Sequence, residues 1–426
     1  MIKFPVAKNK TKKRILFRIS RSNRLSFPVL LNVWEQNDIH NEFEILICHQ
    51  PLSPADIKTG DVILFSFMTY ALPYVHEEIE KIKKSGKKDV LIAGGGPHIT
   101  GEQELAVKIG FDTLFIGSAE RSFLHFGRDL LDNRPVKKQY IYEESENAGA
   151  PPHIDSDFNN HLPISTYMDT IPPLEIMRGC WWNCRYCGTH LHDVRFRSID
   201  SIERYLRELK KQNLLRINFV SPSSLEYGAS GARKLNLEKI EELLKLTSSF
   251  GFRFIEYGIF PSEVRPDTVT GEGMALLKKY VSNKAVTIGA QSSLDERLKE
   301  LRRGHSVEDI EKAVIAANAN DFLANLDFIV GYPEETPEER QSNIAFIKRL
   351  HKKYRVKTHL HHFIPLSGSP YAFRFPSFLS GEEKEQLTAL KAAGLASHGW
   401  LANEAQVRTY LDWLKDFSPD YYSRYR

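Results

Sequence analysis

The chain has 426 residues, 42% hydrophobic and 26% charged, too apolar for a disordered chain and long enough for two or three domains. Basic residues exceed acidic ones by only 58 − 54 = 4, which argues against a dedicated nucleic-acid binder, and no apolar run approaches the ~18 residues of a membrane span or forms a secretory segment. Four cysteines in so long a chain are no disulfide framework, so a reducing cytoplasm is the expected location.

In chain order, the first feature is basic. No acidic residue precedes Glu35, whereas Lys3, Lys8, Lys10, Lys12, Lys13, Arg14, Arg18, Arg21 and Arg24 do. An acid-free start with Arg and Ser occurs in organelle transit peptides; the reading adopted here is a basic tail leading into a first strand, Arg14–Ser20. Apolar runs follow at Ile15–Ile19, Phe43–Cys48, Val62–Phe67, Val90–Ala93 and Thr113–Ile116. Helical patterns separate them, for example Tyr74–Lys84 with Val75, Ile79 and Ile82 on one face. Strand alternating with helix predicts a doubly wound parallel sheet whose ligand sits at the carboxyl ends of the strands. GGGPHITGE (Gly94–Glu102) follows one strand and opens a helix. Glycines there let the backbone approach a ligand, and a helix start favours phosphate. It is not the dinucleotide fingerprint, and a tight strand–helix turn explains it equally well.

Residues 134–165, including SENAGAPPHIDSD, read as a polar connector. Strands are then expected at Leu174–Met177, Arg216–Val220, Arg253–Ile259, Val286–Gly289, Leu326–Val330 and His359–Ile364. Helices are expected at Ser201–Gln212, Leu237–Ser248, Val307–Asn318 and Thr336–His351. Six β/α units make a partial barrel rather than the full eight. The expected organisation is a first α/β domain over residues 1–133, the connector, a barrel over 166–375 and a helical, aromatic-rich segment over 376–426.

MRGCWWNCRYCGT carries Cys180, Cys184 and Cys187 at the end of an expected strand. Thiolates at this C-x3-C-x2-C spacing can hold three corners of an iron–sulfur cubane and leave the fourth iron open to a substrate. Structural zinc is the alternative; it wants four closed ligands, for which His190 or the distant Cys48 would be needed.

The spacing, with aromatic Tyr186 before the last cysteine, resembles the radical S-adenosylmethionine superfamily, whose fold is a partial barrel. The resemblance implies a [4Fe–4S] cluster on Cys180, Cys184 and Cys187. Its open iron would chelate S-adenosylmethionine, and an electron from an external ferredoxin or flavodoxin would release the 5′-deoxyadenosyl radical. Further segments match in order. FPSEVRPD offers Ser262, Glu263 and Arg265, and IGAQSSLDERLKELRRGH offers Gln291, Ser292 and Arg303, all as cofactor contacts. DFIVGYPEET (Asp327–Thr336) resembles the strand against the adenine, and HLHHFIPLSGSP (His359–Pro370) the last strand. The family's Gly-Gly-Glu after the second strand is replaced by SPSSLEYG (Ser221–Gly228). On the last strand, His359 and His361 share one face and His362 takes the other; the first two are candidates for substrate binding or proton transfer, and a structural role fits equally.

SFMTY (Ser66–Tyr70), the glycine turn and GSAE (Gly117–Glu120) together resemble a cobalamin-binding domain. Ser66, Gly94, Gly95, Gly96 and Glu120 would face the cofactor's tail, and Met68 or Tyr70 the cobalt. The D-x-H-x-x-G that supplies a cobalt-ligating histidine elsewhere reads SRSNRL (Ser20–Leu25) here, so no such ligand is expected. Both domains together resemble cobalamin-binding radical S-adenosylmethionine proteins. The implied activity is methylation of an unactivated sp3 carbon in a peptide or small molecule, with a glutamine of methyl-coenzyme M reductase as the first substrate to consider. Alternatives are a non-methylating radical reaction such as cyclisation, and a cobalamin carrier or sensor. A transfer-RNA methylthiotransferase would require a second three-cysteine cluster in the first domain, which holds only Cys48. Neither a membrane nor a nucleic-acid partner is expected.

Overall fold

The computed structural model describes residues 12–20, 23–141, 156–397 and 399–426. Most of the basic start, Arg21 and Ser22 of SRSNRL, and residues 142–155 of the connector lie outside the described residues. The chain divides into two units: Met1–Phe67 with Tyr74–Glu143 and Pro163–Pro172, and Met68–Pro73 with Glu144–Leu162 and Pro173–Arg426.

The first unit runs β1 (Lys13–Arg18), α1 (Ser26–Gln36), β2 (Phe43–Cys48), β3 (Val62–Ser66), α2 (Leu72–Lys84, its first two residues grouping with the second unit), β4 (Leu91–Gly95), α3 (Pro97–Gly101), α4 (Glu104–Ile109), β5 (Thr113–Ile116), α5 (Glu120–Leu131) and β6 (Gln139–Ile141). Its six strands are parallel in the order β2-β1-β3-β4-β5-β6. Strand β6 lies within the expected connector. At three residues it is too short to show a period, and it is made by pairing with β5 (Leu114 beside Gln139). One face packs an aromatic core: Phe17 of β1 meets Phe27, Trp34 and Phe123, and Trp34 stacks on Phe123 at 4.5 Å while its indole N–H donates to the Phe123 carbonyl at 3.0 Å. The sheet order reverses between β1 and β3, the crevice where such sheets take ligands. Asn23 spans that crevice. Its amide donates to the carbonyls of Arg18 (2.8 Å) and Ser66 (2.9 Å), and its oxygen accepts from Ser20 N–H (2.7 Å).

The second unit runs α6 (Ser156–Asn160), β7 (Leu174–Glu175), β8 (Met177–Arg178), β9 (Arg195–Phe196), α7 (Ile199–Lys211), β10 (Arg216–Val220), α8 (Leu237–Ser249), β11 (Phe254–Glu256), α9 (Gly271–Tyr280), β12 (Ala285–Gln291), α10 (Asp295–Glu300), α11 (Val307–Ala319), β13 (Leu323–Val330), α12 (Pro337–Lys353), β14 (Val356–His362), α13 (Gly381–Ala392), β15 (Ala396–Ser397), α14 (Gly399–Phe417) and α15 (Pro419–Tyr422). Parallel sheets β7-β10-β11 and β12-β13-β14-β15 form the two halves of a partial barrel. They are joined where Val264 bridges Ile288, its N–H donating to Thr287 at 2.8 Å and its carbonyl accepting from Gly289 at 3.0 Å.

The last expected strand, His359–Ile364, lies at Val356–His362, and two others change more. Leu174–Met177 divides at Ile176, whose N–H donates to Val220 while its carbonyl accepts from Arg197. Leu174–Glu175 therefore joins the barrel, and Met177–Arg178 turns to pair antiparallel with β9. Arg253–Ile259 shortens to Phe254–Glu256, because Gly258 at φ +72° bends the chain away before it returns through Val264. The helices carry their own start signals. Thr336 and Glu339 form a reciprocal capping box with Pro337 at the first turn, and Ser306 with Asp309 and Ser380 with Glu383 do the same. No described helix is long and apolar enough to cross a membrane.

Candidate active site

The three cysteines lie on the loop that leaves β8, at the carboxyl end of the barrel strands. Two backbone bonds anchor it, Arg185 N–H donating to Leu301 at 3.1 Å and the Arg185 carbonyl accepting from Tyr371 N–H at 2.8 Å, and within the loop Cys187 N–H donates to Cys184 at 3.0 Å. Cys184 is buried, and Arg303 places Nη1 3.5 Å from its sulfur while Nη2 donates to the Gly289 carbonyl at 2.8 Å. The Cys187 sulfur faces the Thr189 hydroxyl (3.1 Å) and N–H (3.4 Å). Burial pushes the Cys180 thiol up to about 11, and the nearby Cys184 and Cys187 act in the same direction. Donors aimed at two sulfurs suit thiolate ligands of a metal cluster. Among the described residues no three His, Cys, Asp or Glu side chains already stand in a metal-holding group. His190, weighed as a fourth ligand, spends Nδ1 on the Cys187 carbonyl at 2.9 Å, and Cys48 ends β2 in the first unit. Tyr186 packs beside Leu301, Tyr332, Phe363 and Tyr371, its ring 5.7 Å from Tyr332.

Trp182, inside the loop, is clamped. Arg265 lies 3.8 Å from its ring and Arg233 5.3 Å, and its indole N–H faces Glu226 Oε1 at 3.4 Å. Arg265 is itself committed, to Asp267 at 3.0 Å and to the Arg303 carbonyl. His305, beside these guanidinium groups, is pushed down to about 2, by burial first and then by the Arg303 and Arg265 charges. It is neutral, with Nε2 donating to the Ala290 carbonyl at 3.2 Å.

The remaining expected cofactor contacts divide. Ser262 and Ser292 are buried and turned to their own loops, Ser262 donating to Ile259 at 2.9 Å and Ser292 accepting from Leu294 N–H at 3.3 Å. Gln291 closes β12 at φ +71°, and its buried Oε1 has no partner among the described residues. Sequence reasoning missed Glu226 and Ser223. Both are fully buried on the loop after β10, and Glu226 Oε2 and Ser223 Oγ lack partners among the described residues. The signal is in SPSSLEYG, which stands where the family has Gly-Gly-Glu and carries a glutamate of its own.

On β13 and β14, Ala324, Leu326, Phe328 and Val330, and Val356, Thr358, Leu360 and His362, are buried on the helix side. The alternate residues, Asn325, Asp327, Ile329 and Lys357, His359, His361, face the lumen. Asp327, which sequence reasoning gave no role, sits beside His359 across the two strands and holds its Nδ1 at 3.0 Å; this bond is the main cause of the raised His359 pKa. His361 is exposed. His362 stacks on Phe378 with centroids 5.9 Å apart, and burial pushes it down to about 4.

In the first unit the glycine turn tests a cofactor cradle. A Cβ on Gly94 would fall 2.6 Å from Ile99 and 2.7 Å from Phe111, and one on Gly96 2.6 Å from Ser66 Oγ. These two glycines serve the unit's own packing. Only at Gly95 is there room, with Phe115 Cβ at 3.4 Å. Ser66 is buried at the end of β3, and Glu120 is buried at the start of α5. Met68 and Tyr70 group with the second unit.

Residues 174–347 match the model of the radical SAM superfamily. Among curated proteins, the chain is 27% identical over 313 residues to the uncharacterized protein MJ0966 of Methanocaldococcus jannaschii (70% of this chain, 65% of that one). It is 25% identical over 316 residues to the uncharacterized methyltransferase PH0819 of Pyrococcus horikoshii (69% and 65%). A probable threonylcarbamoyladenosine tRNA methylthiotransferase of Archaeoglobus fulgidus is 26% identical over 202 residues (46% of each). The chain thus spans a little under two thirds of the length of the first two relatives and less of the third. Among solved structures, the radical S-adenosylmethionine methyltransferase TsrM of Kitasatospora setae, with cobalamin and a [4Fe-4S] cluster bound, matches at TM-score 0.59 and 13% identity (85% of this chain, 77% of that one). The cobalamin-dependent S-adenosylmethionine radical enzyme OxsB, with aqua-cobalamin bound, matches at 0.57 and 13% (90% and 56%). The ordered motifs, the partial barrel and the family match converge: residues 174–347 are a radical S-adenosylmethionine domain, in a chain with the fold of TsrM and OxsB.

Proposed function

We propose that the protein is a cobalamin-dependent radical S-adenosylmethionine methyltransferase acting on an unactivated sp3 carbon of a peptide or polar metabolite, with reducing equivalents from a ferredoxin or flavodoxin. The observation that carries this reading is the cysteine loop at the carboxyl end of the barrel, with N–H donors of Thr189 and Arg303 on two of its sulfurs and buried acceptors, Glu226 Oε2 and Gln291 Oε1, left without partners among the described residues. Orphaned buried acceptors are costly unless a ligand satisfies them, and S-adenosylmethionine brings the ammonium and hydroxyl donors they lack. When bound, the cluster and S-adenosylmethionine supply a 5′-deoxyadenosyl radical, and cobalamin supplies a transferable methyl group.

The chain's own residues then have distinct tasks. Cys180, Cys184 and Cys187 hold the cluster, and Arg303 and Thr189 place donors on the sulfurs of the last two. Glu226 accepts the ammonium of S-adenosylmethionine, in the place where the family's Gly-Gly-Glu is missing. Gln291 accepts a hydroxyl of its nucleoside. Arg265 acts through Trp182, which it stacks on, and holds the loop in shape. In the first unit, Gly95 offers the close approach that the cobalamin tail needs. The methylthiotransferase relative favours a second reading, transfer of a methylthio group. A second cluster would need further cysteines, and Cys48 is the sole cysteine before residue 180.

Anaerobic reconstitution tests the reading. The native protein binds about four irons per chain and, once reduced, cleaves S-adenosylmethionine to 5′-deoxyadenosine. Cys184→Ala loses both iron and cleavage, whereas Cys48→Ala keeps both. Loss of iron in the Cys48 variant contradicts the three-cysteine assignment.

A further inference from the structure

We propose that Glu263, together with Asp327, receives a protonated amine or guanidinium of the substrate on the lumen side of the barrel. This deepens the reading above and rests on it. Glu263 follows the bend at Gly258, next to the Val264 bridge that joins the two half-barrels. Among the described residues no lysine, arginine or histidine forms an ion pair with its carboxylate, which is partly withdrawn from solvent. Val264 bridges Ile288 of β12 and Ile288 pairs with Leu326 of β13, so Glu263 and Asp327 each stand one residue from the same register line, and the Asp327 charge is felt at Glu263.

A carboxylate in that position is disfavoured twice, by desolvation and by like charge. Burial, reinforced by the Asp327 charge, pushes Glu263 up to about 7, so a cation arriving at neutral pH would find a group ready to ionise. The rest of this wall also accepts more than it donates. Asp327 gives Oδ1 to His359 and leaves Oδ2 over, and Asn325, two residues earlier on the same face, has a buried Oδ1 without a partner. The cationic groups facing this wall are His359, held by Asp327, and Lys357, which is exposed.

S-adenosylmethionine itself carries an ammonium, but Glu226 stands closer to the cysteine loop: it bonds Trp182, and its charge is felt at Cys180. Glu263 has no contact with that loop and shares its surroundings with Asp327. The other cationic centre of S-adenosylmethionine, its sulfonium, has no N–H to donate, so with the ammonium assigned to Glu226 the hydrogen-bonding cation that Glu263 lacks is left to the substrate. A neutral glutamine side chain supplies none, so a lysine- or arginine-like group displaces it as the first candidate.

The test uses the full chain, reconstituted with its cluster and saturated with S-adenosylmethionine. N-acetyl-lysine amide, N-acetyl-arginine amide and the neutral N-acetyl-glutamine amide are titrated by equilibrium dialysis. At least one cationic probe is expected to bind tenfold or more tightly than the neutral one. Glu263→Gln abolishes that preference while iron content stays the same and S-adenosylmethionine affinity stays within twofold. Asp327→Asn lowers the preference as well, which keeps the test open if the first variant does not fold. Equal binding of the three probes to the native protein overturns the proposal, as does a preference that survives in Glu263→Gln. A tenfold loss of S-adenosylmethionine affinity in Glu263→Gln, with the probe preference intact, also overturns it and assigns the carboxylate to the cofactor's ammonium. Failure of the native protein to bind iron or S-adenosylmethionine is scored first and removes the reading beneath the proposal.

Discussion

A carboxylate oxygen sealed inside a protein without a donor costs on the order of several kcal/mol, and Glu226 Oε2 is such an atom among the described residues. Its other oxygen is held by Trp182 and by Arg233 N–H at 3.1 Å, so the side chain is fixed before any ligand arrives. A hydrogen bond to a charged group contributes roughly 1.5–3 kcal/mol. Glu226→Gln, nearly isosteric, is therefore expected to weaken S-adenosylmethionine binding by about 10- to 100-fold with iron content unchanged; unchanged affinity by equilibrium dialysis would remove Glu226 from the cofactor site. At this scale the sequence was legible where chemistry dictates spacing, as in the cysteine triad. It was less legible where a residue's partner decides its role. Nothing in SEVRP or QSS says that Ser262 and Ser292 turn back on their own loops while Gln291 is left open, because those choices follow from backbone turns and from Arg303 reaching across the barrel.

Elements were legible in proportion to their length and the strength of their end signals. The helices Leu237–Ser249 and Val307–Ala319 differ from expectation by one residue at one end, because caps and a 3.6-residue apolar period both mark them. Strands β6, β7 and β8 are two or three residues long and exist through their partners, so no pattern could isolate them. Backbone geometry at Gly304 links an element end to the site. It sits at φ +74°, and a Cβ there would fall 2.1 Å from the Trp182 ring. Gly251 has nearly the same backbone, φ +68°, with open space around it. Both Gly→Ala changes incur about 1–2 kcal/mol of left-handed backbone strain, and only Gly304→Ala must also move Trp182. We expect both variants to lower the thermal midpoint and Gly304→Ala alone to lose bound iron on reconstitution. Equal iron content in the two would detach Trp182 from the integrity of the cysteine loop.

At the scale of the whole molecule, alternation of strand and helix was enough to foresee a doubly wound sheet followed by a partial barrel, since parallel strands require crossovers and crossovers leave a period in the sequence. The occupant of the first unit was less legible. GGGPH reads as a cradle, yet two of its three glycines answer to Ile99, Phe111 and Ser66 of the same unit, and Asn23 rather than a histidine ties the ends of β1 and β3. Under the proposed function the two units share one task, methyl transfer to carbon, and that task leaves a stoichiometric trace. The most direct measurement is product analysis by mass spectrometry. The chain, loaded with cluster and cobalamin, is reduced and given S-adenosylmethionine deuterated in its methyl group, together with the substrate. A radical methyltransferase gives 5′-deoxyadenosine and S-adenosylhomocysteine in equal amounts, with the labelled methyl on a carbon of the product. 5′-Deoxyadenosine alone, with no labelled methyl transferred, would contradict the proposed function.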